Sequence, residues 1–171
     1  VRDICPEAEG SHPMEFTGFG SNLFFVAYDE KTYGYQLWRS DGTEEGTVMV
    51  REITLGSGEP LLTACGSNLF FVANDGTHGD ELWRSDGTAE GTVMVKDIVP
   101  GADGSAPYNM TVLDSNLLFC ANGQLWTSDG TEEGTFMVRD INNGQTSADY
   151  LTALGSNLFF CVDDGIHGWE L

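Results

Sequence analysis

Several residue classes in this chain could do chemistry, and each also has a structural reading. Cys5, Cys65, Cys120 and Cys161 form an even set with no Cys-x-x-Cys pair, so the spacing of a zinc site is absent and two disulfides are expected. Three connectivities stay open. Cys120 and Cys161 stand where related segments carry Val26 and Val72, so buried thiols acting as small hydrophobes are the alternative. Asn109-Met110-Thr111 is a glycosylation sequon that would carry sugar in a secreted eukaryotic chain and mean nothing in a bacterial one. Asp163-Asp164 and Asn74-Asp75, each followed by Gly, could offer hard oxygen ligands to calcium. The preferred reading is that such carboxylates cap their own turns, with cations held as loose counterions and no cofactor required. His78 and His167 fill equivalent loop positions that the first copy gives to Tyr33, and His12 stands alone beside Pro13. None has a Cys or second His at ligand spacing, so no metal centre is expected.

A catalytic group is needed once, whereas most charged residues here recur. Arg39 and Arg84, Arg51 and Arg139, and Glu81 and Glu170 are repeat features, which reads as scaffold, and no enzyme is expected. The recurring Ser-Asp-Gly-Thr turn distantly resembles the aspartate box of sialidase propellers without its spacing. Tyr28, Tyr33, Tyr35 and Trp169 fall in corresponding loops and are the candidates for an aromatic binding rim. Charge narrows the partners: 27 Asp+Glu against 7 Lys+Arg leave a net charge of −20, which excludes nucleic acid and anionic membrane surfaces. No apolar run reaches the ~20 residues that cross a bilayer, so membrane insertion is not expected.

The elements that position these groups follow from internal repetition. GSNLFFVA at Gly20 to Ala27 returns at Gly66 to Ala73, as DSNLLFCA at Asp114 to Ala121 and as GSNLFFCV at Gly155 to Val162. LWRSDGTEEGTVMVREI, Leu37 to Ile53, returns from Leu82 to Ile98 and from Leu125 to Ile141. The shared segments are short, rich in Val, Phe, Trp and Thr, and punctuated by Gly, Asp and Asn, so they read as strands. One unit holds four: a short Thr-bearing strand, the NLFF strand, the ELW strand and a Thr-Val-Met-Val strand with a charged end. In the third copy the loop between the second and third strands shrinks to Asn122-Gly123, the strongest short hairpin signal, which makes those strands antiparallel neighbours. In the Ser-Asp-Gly-Thr-x-x-Gly-Thr block, Asp41 accepts from backbone two residues on, and Gly42 and Gly46 are expected to supply positive φ. Four antiparallel strands per ~45 residues describe the blades of a β-propeller.

The chain resembles the ELWxxDGT repeat family on QLWRSDGT (Gln36 to Thr43), ELWRSDGT (Glu81 to Thr88) and QLWTSDGT (Gln124 to Thr131), with a fourth copy reaching Trp169-Glu170-Leu171. That resemblance implies a propeller-like all-β fold in large secreted or surface-attached proteins, with no catalytic residues to carry over. The expected organisation is a single repeat domain, 1–171. Residues 1–4 end a preceding or closing strand, with blades at 14–53, 61–98, 108–141 and 149–171, the last incomplete. Both ends fall inside repeats, as in a processed chain, a window on a longer array, or a four-bladed ring closed by the N-terminal strand. The expected function is an extracellular structural protein, self-associating or continuing into further repeats as a unit of a fibre or surface array. A secreted glycan- or protein-binding module is the alternative, and a glycosidase-like propeller enzyme comes last.

Overall fold

The computed structural model describes residues 2–6, 10–55, 62–139, 148–163 and 166–171. Within them every element is a strand, and the strands form four antiparallel sheets that follow the sequence repeats. The first contains β1 (Met14–Phe19), β2 (Asn22–Asp29), β3 (Gly34–Ser40) and β4 (Val48–Arg51) in that spatial order. The second contains β5 (Thr54–Leu55), β6 (Thr63–Cys65), β7 (Asn68–Asn74), β8 (Asp80–Ser85) and β9 (Val93–Lys96). The third runs β10 (Tyr108–Leu113), β11 (Asn116–Ala121), β12 (Gln124–Ser128), β13 (Phe136–Arg139), and the fourth β14 (Ala148–Leu154), β15 (Asn157–Asp163), β16 (Trp169–Glu170). The second sheet departs from a plain four-strand unit. Thr54–Leu55, expected in the connection between units, pairs with Asn74 and Ala73 at one end of β7, while β6 pairs at the other.

Turn chemistry sets the hairpins. Asn122 and Gly123, with φ 49° and 73°, close the β11–β12 hairpin on the pair Ala121↔Gln124, the geometry a two-residue loop needs to match strand twist. Gly20, Gly66, Asp114 and Gly155 take φ of 61°, 60°, 56° and 62° where first strands turn into second strands. Glu15, Asn109 and Tyr150 are also left-handed, each inside a register shift of its first strand, so a β-bulge recurs at one position in three sheets.

Alternation along the second strands builds the core between sheets. Phe24 and Val26 join Leu37, Val50 and Ile53 of the first unit to Leu69, Phe71, Ala73 and Trp83 of the second. Phe70, Leu82 and Val95 meet Leu117, Phe119 and Ala121 of the third, with Trp126 and Ile98 packed against them. Phe25, Ala27 and Trp38 lie on the other face of the first sheet, where Ile4 and Met49 cover them. The second sheet therefore buries one set of alternate residues against the first sheet and the other against the third. This explains the nearly continuous apolar run of the NLFF strands.

The fourth sheet differs from the others in that Phe159, the counterpart of Phe24 and Phe70, is 39% exposed. Val138 is likewise 48% exposed where its counterparts Val50 and Val95 are buried at 6% each. No closed ring of sheets is formed among the described residues.

Candidate functional site

The Ser-Asp-Gly-Thr-x-x-Gly-Thr cassettes carry the densest polar geometry, and it is the same three times. Asp41 Oδ1 accepts from Thr43 N at 2.9 Å and Thr43 Oγ1 at 2.7 Å, and Thr43 Oγ1 in turn accepts from Gly46 N at 2.9 Å. Thr47 Oγ1 donates its single proton to Thr43 O at 2.6 Å, so Ser40 Oγ must be the donor in the 2.7 Å Ser40–Thr47 contact. Ser85, Asp86, Thr88, Gly91 and Thr92 repeat the pattern, as do Ser128, Asp129, Thr131, Gly134 and Thr135. The hydrogen bonds from Thr43, Thr88 and Thr131 hold Asp41, Asp86 and Asp129 below the usual carboxylate value. Gly42 adopts φ 94° as expected. Gly46 does not take a positive φ. It is glycine because a Cβ there would lie 2.0 Å from Asp41 Oδ1.

Gln36 and Glu81, which open the first two ELW motifs, tie down the chain beyond the fourth strand of their units. Gln36 Oε1 accepts from Ile53 N at 2.8 Å. Glu81, fully buried, accepts from Val99 N at 3.0 Å through Oε1 and from Ser105 Oγ at 2.5 Å through Oε2. Burial raises the Glu81 carboxyl above its ordinary value despite those donors. The basic ends of β4 and β9 reach forward: Arg51 Nη1 donates to Thr92 O of the next cassette, and Lys96 Nζ to Thr135 O at 2.8 Å. Six of the seven Lys and Arg residues, Arg2, Arg39, Arg51, Arg84, Lys96 and Arg139, occupy repeat positions; Arg39, Arg84, Arg51 and Arg139 were expected as scaffold, and this link between sheets was not.

The structure separates the other candidate residues. Cys65, Cys120 and Cys161 are thiols in the structure. Each thiol serves a different sheet. Cys65 Sγ donates to Ser115 O at 3.4 Å, Cys120 Sγ to Ala148 O at 3.1 Å, and the buried Cys5 Sγ to Glu30 Oε2 at 3.5 Å. Burial and the Asp149 charge push the Cys120 thiol up to about 12, and burial also raises Cys65. Asn109 Nδ2 donates to Asp149 Oδ1 at 2.9 Å, bridging the third and fourth sheets; a sugar on that nitrogen would leave it a single N–H for this bridge. Asn74 and Asp75 spend their oxygens on Gly76 N, Thr77 N, His78 N and the His78 ring. Asp164 lies outside the described residues. Tyr28 and Tyr35 are cross-strand partners with rings 5.8 Å apart, and Tyr33 at the tip of the same hairpin is 84% exposed. Trp169 is paired with Asp163 on the fourth sheet, apart from the three tyrosines.

Two cavities are lined by the described residues. A polar cleft of about 720 Å³ opens between the first and second sheets, with Gln36, Arg51, Glu52, Asp75 and Asp80 in its walls. There the Arg51 guanidinium sits 5.8 Å from the Trp83 ring centroid, close enough for cation–π attraction. An apolar pocket of about 560 Å³ lies on the outer face of the first sheet, lined by Ile4, Phe16, Leu23, Phe25 and Gly42 among others. Compared with family models, with curated proteins and with solved structures, the chain gives no match in any of the three.

Proposed function

We propose that this chain is an extracellular structural protein whose four sheets are blades of propeller type, and that it serves as a unit of a larger fibre or surface array. The observation that carries the reading is the repetition of the chemistry. Asp, Thr, Glu/Gln and Arg/Lys do one mechanical task per unit, while a catalyst needs an unrepeated constellation. The resemblance to ELWxxDGT repeat proteins supports a secreted or surface location. The cysteines, present as thiols, give that location no support. Sedimentation and electron microscopy of the native material at high salt test the reading. Extended or multimeric particles are expected, and a monodisperse 18.5 kDa monomer would overturn it.

A second reading, a glycan- or protein-binding module, is favoured by one observation: the Tyr28–Tyr35 pair and exposed Tyr33 belong to the hairpin whose Thr32 and Gln36 line the polar cleft. Glycan-array binding that is lost in Tyr33→Ala would move the assignment there.

A further inference from the structure

The interface between the first and second sheets supplies an internal template for what covers the first sheet, although in the third unit the corresponding Gly130 is met by Asn68 and Arg84. In the second unit the ring of Phe24, sent from the preceding sheet, stands 3.0 Å from where a Cβ on Gly87 would be, and Gly87 is buried. The counterpart in the first unit is Gly42, with the same φ of 94°. Nothing lies within 4 Å of that position, and Gly42 is exposed. The space left open is the apolar pocket bounded by Leu23, Phe25, Ser40, Asp41 and Gly42, whose counterparts Leu69 and Phe71 share a cluster with Phe24. Ile4 packs on this face against Phe25, Ala27 and Trp38, as Ile53 and Ile98 pack in the two inner interfaces. The first sheet is thus prepared for a preceding sheet and holds one element of that interface already.

The matching knob is at the other end of the molecule. Phe24, Phe70, Leu118 and Phe159 are register equivalents, each opposite the Thr of its first strand: Thr17, Thr63, Thr111 and Thr152. The first three are buried at 1%, 1% and 7% beneath the next sheet, while Phe159 is 39% exposed. Tyr150 and Leu154 of the same sheet are 78% and 69% exposed. A large apolar patch of this kind is a contact surface, and heterologous contacts that do not close on themselves make filaments.

We propose that the chain associates head to tail with a second copy of itself, the Phe159 ring of one copy filling the pocket over Gly42 of the next. This rests on the assembly reading above and names its interface. The net charge of −20 opposes contact, so association strengthens with salt, because 1 M salt shortens the screening length to about 3 Å.

The test uses the full chain at 1 M NaCl, with sedimentation velocity as readout and circular dichroism as the fold control. Phe159→Ser removes the knob and Leu23→Asp spoils the pocket. Each alone should weaken self-association about 30-fold or more, as loss of a buried aromatic anchor does. An equimolar mixture should then form dimers and nothing longer, since one intact knob meets one intact pocket. That rescue also shows that both variants are folded. Wild-type multimers that survive both substitutions would overturn this interface while leaving the assembly reading standing. A wild-type monomer at every concentration would overturn both. A mixture that stays monomeric beside a multimeric wild type would overturn the pairing of these two surfaces.

Discussion

Replacing Glu81 by Gln and by Met separates the two things this buried side chain does, which are to accept hydrogen bonds and to carry a charge. Its oxygens take Val99 N at 3.0 Å and Ser105 Oγ at 2.5 Å, and Ser105 is itself buried. Glu81→Met orphans both donors at about 1–3 kcal/mol each, offset in part because a desolvated carboxylate disappears, for a net loss of about 3 kcal/mol. For a domain of this size that lowers Tm by roughly 6–12 °C. Glu81→Gln keeps an acceptor for Val99, as Gln36 does for Ile53 in the first unit, and should stay within about 1 kcal/mol of wild type.

The two forms differ in their pH dependence. Burial raises the Glu81 carboxyl above its ordinary value of 4.5, so its contribution to stability is fully present below 4.5 and is lost as pH rises through the higher folded value. The Gln variant has no such slope. Its Tm relative to wild type should therefore climb from pH 4 to pH 7 in differential scanning calorimetry. A relative Tm that falls over that interval would refute the reasoning, because the site would then stabilise the ionised carboxylate. A Met variant that melts with wild type would refute the strap itself.

Three further outcomes follow from the repeat geometry. Gly91→Ala puts a Cβ about 2.1 Å from Asp86 Oδ1 and should cost about 1–3 kcal/mol by displacing that carboxylate; in an Asp86→Ala background the same change should cost much less, a coupling that denaturant melts of the double-mutant cycle measure directly. Alkylation of the native protein at pH 8 followed by mass spectrometry should label Cys161 first and leave Cys65 and Cys120 unmodified until unfolding, since burial raises both thiols and thiolate is the reactive form. Asp41, Asp86 and Asp129 lie below the ordinary value of 3.8, so their contribution is present above that pH and lost as pH falls through the lowered folded values; Asp86→Asn, followed by Trp fluorescence, should make the acid limb shallower.

What the sequence determined by itself was everything that rests on near neighbours. The strand hairpins were legible because Asn122-Gly123 and the Gly-Ser-Asn turns can adopt left-handed φ, and backbone conformation is set within two or three residues. The cassette was legible for the same reason, except at Gly46, where the demand comes from the Asp41 side chain folding back and not from φ. The continuous apolar second strands announced burial on both faces. Which face meets which neighbour was decided only by tertiary structure. Phe24 and Phe159 have the same local sequence and opposite fates, because burial depends on what stands ten ångströms away across the sheet packing. The cysteines show the same limit: disulfide formation depends on the approach of two distant Cβ atoms, and the fold assigns Cys65, Cys120 and Cys161 to three different sheets. The forward reach of Arg51 and Lys96 to the next cassette was likewise invisible in spacing alone, since it exists only once consecutive sheets are stacked.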